Sequence, residues 1–195
     1  YLPLYRGVTL AARFATSTSF GKSLLIYYLG GVDNWMNFSQ RTPTFDYSTR
    51  INEDKNWAFQ AVATNMRGFV QNVRNGNSFA LTNTELRWPI VRFLYNRPVS
   101  SDFLSNLMVI GFTDVGTAWE GWNPMKAKNA YDFDEIYQEP VTVVIDRKKS
   151  QLVAGVGFGL RSRLLGYYVR TDWAWGIDGG RVLPRVFYLS LCTDF

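Results

Sequence analysis

Residues 151–161 read QLVAGVGFGLR, and the two alternating sets within that stretch differ in chemistry. Leu152, Ala154, Val156, Phe158 and Leu160 form one set; Val153, Gly155, Gly157, Gly159 and Arg161 form the other. Successive side chains of a β-strand point to opposite faces, so the stretch reads as a strand with one bulky apolar face and one small, charge-tolerant face. Residues 167–175, YYVRTDWAW, repeat the device: Tyr167, Val169, Thr171, Trp173 and Trp175 oppose Tyr168, Arg170, Asp172 and Ala174. From Arg185 onward, Phe187, Leu189, Leu191, Thr193 and Phe195 alternate with Val186, Tyr188, Ser190, Cys192 and Asp194. Residues 7–16, 78–88 and 107–119 read as further strands. The last is apolar on both faces near its start, which leaves its facing open. Helical periodicity is scarce, so the fold class is all-β.

The connections alternate in length. A long Asn-, Thr- and Asp-rich segment (21–77) follows the first full strand, and a medium turn (95–106) follows the next. A second long polar segment (120–150) precedes two tight connections at 162–166 and 177–184. Long loops on one rim and short turns on the other are the rhythm of an antiparallel meander, as in outer-membrane barrels.

Composition narrows the function classes. The 195 residues are 47% hydrophobic and 16% aromatic, yet no apolar run is long enough for a transmembrane helix. Barrel strands alternate and score near zero on hydropathy, so this leaves a membrane barrel open. The net charge of +5 comes without a basic run, which argues against nucleic-acid binding. The absence of histidine removes His-based catalysis and most transition-metal sites. Cys192 is the single cysteine, so no internal disulfide can form. No G-x-S-x-G occurs, and the alternating glycines 155–159 lack the Lys-Ser/Thr of a phosphate loop. The acidic group 132–135, DFDE, fits no EF-hand spacing and reads as solvated surface. Neither an enzyme nor a cofactor is expected.

Two architectures fit the strand pattern. In a soluble sandwich the bulky face looks inward; in a membrane barrel it looks out to lipid and charges are kept inside. The smaller face carries Arg13, Glu85, Arg87, Asp114, Arg161, Arg170 and Asp172, with both signs mixed. Arg170 and Asp172, two apart on one face, read as a wall pair. Trp88, Trp119, Trp173 and Trp175 lie near strand ends, where an aromatic girdle would sit.

Residues 66–69, MRGF, resemble the V-R-G-F/Y signature in the sixth extracellular loop of the BamA-type outer-membrane assembly and translocation superfamily, with Met66 in place of valine. Further stretches match in order: TELRWPI (84–90), GFTDVGTAW (111–119), AGVGFGLR (154–161), VRTDWAWG (169–176) and a closing FYLSLCTDF (187–195). The resemblance implies about the last six strands of a barrel of about sixteen, with the remaining strands and any periplasmic modules elsewhere in a longer protein. It implies that loop 21–77 folds into the lumen and that Arg67, with Gly68 and Phe69, meets Glu85 and Asp114 on the wall. It also implies that Phe187, Leu189, Leu191 and the terminal Phe195 form the closing-strand signal for barrel assembly. Segments 21–77 and 120–150 would be extracellular. The expected place is the bacterial outer membrane, with outer-membrane lipids, unfolded or exported clients and periplasmic or outer-membrane accessory proteins as partners. The expected role is insertion or translocation of proteins. The alternatives are an anchor or export pore for an N-terminal domain outside this chain, a diffusion porin, or a soluble β-rich binding module.

Overall fold

A computed structural model describes residues 1–37, 43–63, 65–95, 100–125, 131–138, 141–148 and 150–192, with backbone alone for 131–148. In chain order the elements are β1 (Leu2–Pro3), β2 (Thr9–Thr18), β3 (Leu24–Leu29), β4 (Trp57–Ala63), β5 (Arg74–Gly76) and β6 (Ser78–Trp88). Then come α1 (Ile90–Leu94), α2 (Asp102–Ser105), β7 (Met108–Trp119), β8 (Tyr131–Gln138) and β9 (Val141–Lys148). The chain continues with β10 (Val153–Leu164), β11 (Tyr167–Asp178), β12 (Arg181–Val182) and β13 (Val186–Cys192). The protein is mostly antiparallel β-structure. Its main sheet runs β1-β2-β6-β7-β10-β11, with β12 and β13 both pairing with β11. Among the described residues the sheet does not close on itself.

The alternation sorts the two faces of this sheet. Val153, Gly155, Gly159 and Arg161 of β10 are buried, while Leu152, Phe158 and Leu160 are exposed. On β7 the open question of facing is resolved: Ile110, Phe112 and Asp114 point to the buried face and Val115 to the exposed one. The face left open carries Phe14 (67% exposed), Phe158 (50%), Leu86, Leu160, Phe187 and Leu191. Across it, register sets Phe158 beside Trp173 and Trp173 beside Phe187. Their ring centroids lie 5.5 and 5.2 Å apart, a cross-strand aromatic row on the surface.

The other face is covered by segment 21–77. Far from being irregular, that segment folds into a three-stranded sheet in the order β4-β3-β5, with β3 and β4 parallel. Its apolar side chains Leu29, Ala63, Met66, Phe69 and Val73 cluster with Leu81, Ala118 and Val153 of the main sheet. This burial of apolar surface is what holds the segment against the strands. Residues 120–150, expected as a polar loop, carry the β8–β9 hairpin. The connection from β6 to β7 holds two short helices, α1 just before the expected medium turn and α2 within it, and Ser101 caps the second by accepting from the Leu104 amide.

Candidate functional site

The sheet register prepares a row of side chains on the covered face. Asn83 of β6 stands opposite Asp114 of β7, and Asp114 opposite Gly155 of β10. The neighbouring row is Glu85, Phe112 and Gly157. Sequence alternation alone places these residues; their chemistry becomes one site only when the loop arrives.

Arg67 is that arrival, and it is 1% exposed. Its Nε donates to Asp114 Oδ2 and its Nη2 to Asp114 Oδ1, each at 2.7 Å, a two-pronged carboxylate contact. Nη1 donates to Glu85 Oε1 at 2.6 Å. The guanidinium carbon lies 3.7 Å from the centroid of the Phe112 ring, a cation–π contact out of water. The Arg67 amide also donates to Asp114 Oδ2 at 3.1 Å, and Asn83 Nδ2 donates to Asp114 Oδ1 at 2.8 Å. Asp114 is 0% exposed and each of its oxygens has two partners, as a buried carboxylate requires. Burial works against the charged form of Arg67. The hydrogen bond to Asp114 and the charges of Asp114 and Glu85 outweigh it and raise its pKa, so the cation is fixed.

Space for the loop backbone is made by glycines. Gly68 adopts φ +94, and a Cβ there would sit 2.7 Å from the Gly176 amide nitrogen and the Trp175 carbonyl carbon. A Cβ on Gly155 would collide with the carbonyl oxygen of Arg67 itself. Phe69 is buried in the apolar cluster under the loop.

The structure thus brings Arg67, Gly68, Phe69, Glu85 and Asp114 together. Phe187 and Leu191 lie on the open face of β13, and Leu189 shares their side of the strand. Phe195 lies outside the described residues. The expected Arg170–Asp172 pair is not formed. Asp172 instead takes Arg161 across the strand pair, at 2.7 and 3.1 Å. Register sets Asp172 opposite Gly159 and diagonal to Arg161, and the space beside Gly159 admits the guanidinium.

Two anchors escaped the sequence reading. Tyr188, on the covered face of β13, accepts from the Gly68 amide at 3.0 Å and donates to the Phe69 carbonyl at 2.6 Å. Its ring also packs on Trp35, 4.9 Å between centroids, so the last described strand grips the loop directly. Arg74 is buried; it donates to Asp178 at 2.7 Å and to the Ser150 carbonyl, tying β5 to the start of β10 and the end of β11. A tyrosine on the polar side of a strand was the available signal for the first; nothing local marks the second.

No protein-family model, curated protein or solved structure matches the chain. Among the described residues no cluster of His, Cys, Asp or Glu could hold a metal ion. The charged groups of the Arg67 cluster engage one another, an arrangement that fixes a loop in place.

Proposed function

We propose that this chain is part of an outer-membrane β-barrel of the kind it resembles, the BamA-type superfamily, and that it assists insertion or translocation of other polypeptides at the bacterial outer membrane. The supporting observation is the Arg67 cluster. A loop arginine is buried between two strand carboxylates on one face of the sheet, while the other face presents bulky apolar side chains outward. A soluble sandwich would cover that apolar face with a second sheet; here the covered face is the charged one. A barrel in lipid reverses the layers in this way.

In this reading, further strands complete the sheet beyond β2 and β13, since an open edge in hydrocarbon leaves backbone groups unsatisfied. Lipids meet Phe14, Phe158 and their neighbours, and segment 21–77 occupies the lumen. No cofactor takes part and no bond is made or broken in the client. Help comes from a weakly paired closing strand, and Tyr188 couples that strand to the Arg67 loop. Unfolded or exported proteins are the clients, with periplasmic or outer-membrane accessory proteins as partners.

The test is reconstitution of the full-length protein in phospholipid vesicles, to which a urea-unfolded outer-membrane barrel protein is added. Its heat-resistant folded form should appear several-fold faster than with empty vesicles. Equal rates would remove the assembly function.

A further inference from the structure

Beside the Arg67 contacts, on the side of the short strand connections, the covered face holds a cavity of about 840 Å³. Arg13 of β2, Arg87 of β6, Arg161 of β10 and Arg170 of β11 all reach it. Their charges are not equally matched. Arg161 has Asp172, and Arg87 has Glu85 at 2.8 Å, a carboxylate already engaged by Arg67. Register sets Arg170 directly opposite Arg161, two cations face to face across an antiparallel pair. On its other side Arg170 faces Ser190.

The Nε of Arg170 is buried and has no hydrogen-bond partner. Among the described residues no carboxylate lies within ion-pair distance of Arg170 or of Arg13. Asp33, the acid at the cavity wall besides Glu85, accepts from Asn65 at 3.3 Å. Like charges directly opposite on paired strands are destabilising, and a buried guanidinium N–H without an acceptor costs its desolvation. An oxyanion placed in the cavity relieves the first penalty directly, and a turn of the Arg170 guanidinium toward it relieves the second. Guanidinium forks match carboxylate and phosphate oxygens equally well.

We propose that Arg170 and Arg13 form a binding site for an oxyanion, a phosphate or carboxylate group that enters the covered-face cavity. The site depends on that cavity and not on the membrane reading, so the two can fail separately.

The experiment uses full-length protein in the medium in which it folds. Inorganic phosphate, acetate and water-soluble dihexanoyl phosphatidic acid are each titrated against sodium chloride at constant ionic strength, with thermal unfolding as readout. At least one should raise Tm saturably, and comparison of the three separates free phosphate, lipid phosphate and carboxylate. Arg170→Gln should abolish that rise, and Arg13→Gln should reduce it. In the sodium chloride reference, free of oxyanions, Arg170→Gln should raise Tm slightly, because the opposition to Arg161 is gone. A fall in Tm there would mark Arg170 as an ordinary structural partner and overturn the proposal. So would anion responses equal in the wild type and the Arg170→Gln variant.

Discussion

Arg67→Ala should loosen segment 21–77 on the covered face of the sheet and increase its cleavage by protease at least tenfold while the main sheet stays folded. The size follows from what the substitution leaves behind. Asp114, fully buried, keeps Asn83 and one backbone amide but loses both guanidinium bonds. Removing one partner of a buried ion pair costs about 3–5 kcal/mol, because the other charge stays out of water uncompensated. Glu85 is hurt less: Arg87 remains at 2.8 Å and Arg161 at 3.8 Å. Two consequences separate this account from a general loss of packing. Glu85→Gln should be milder than Arg67→Ala, and adding Asp114→Asn to Arg67→Ala should recover part of the loss, since no buried charge is then left alone. The Arg74–Asp178 contact and the apolar cluster under Phe69 remain in each variant, so the segment loosens without unfolding outright.

The second large effect is expected at a residue with no side chain. Gly155→Ala places a Cβ on the Arg67 carbonyl oxygen, and backbone rather than a flexible side chain would have to yield. Overpacking of this sort costs about 1–3 kcal/mol, which lowers the docking equilibrium constant of the loop about 5- to 150-fold. The control is Gly111→Ala on β7, where an added Cβ meets nothing within 4 Å. Protease sensitivity of segment 21–77 should rise for the first and stay at the wild-type level for the second. Equal responses would mean that the close approach of loop and strand is not what positions Arg67.

Much of this was legible in the residues themselves. Alternation located β2, β6, β7, β10, β11 and β13 within a few positions, because each has one face packed and one not, and a period of two survives in the sequence. The same alternation put Glu85, Arg161 and Asp172 on the charged face. Arg67 stood out only through the motif it resembles, since an Arg-Gly-Phe triplet alone is compatible with an ordinary turn. What stayed hidden has physical reasons. Leu24–Leu29 is a continuous apolar run sandwiched between neighbours, and Ile26 to Leu29 are all buried, so no alternation marks it. Trp57–Ala63 pairs in parallel with it across a long separation in sequence, a partnership no local pattern encodes. The exchange of Arg170 for Arg161 as partner of Asp172 depends on strand register, which pairs Gly159 with Asp172 and leaves room there for the guanidinium. β8 and β9 lie in a charged stretch whose polarity reads as loop.

β2 offers the cleanest place to measure which face meets hydrocarbon, because its side chains lie outside the Arg67 cluster. Single nitroxide labels at Ala12, Phe14 and Thr16 on the open face, and at Ala11, Arg13 and Ala15 on the covered face, would be placed in full-length protein in lipid bilayers. Collision rates with oxygen and with a water-soluble nickel complex then report lipid and water exposure. The account predicts high oxygen and low nickel access at Ala12, Phe14 and Thr16, reversing at each intervening residue. Nickel access at Phe14 equal to that at Arg13, or protection of Phe14 from both reagents, would contradict it.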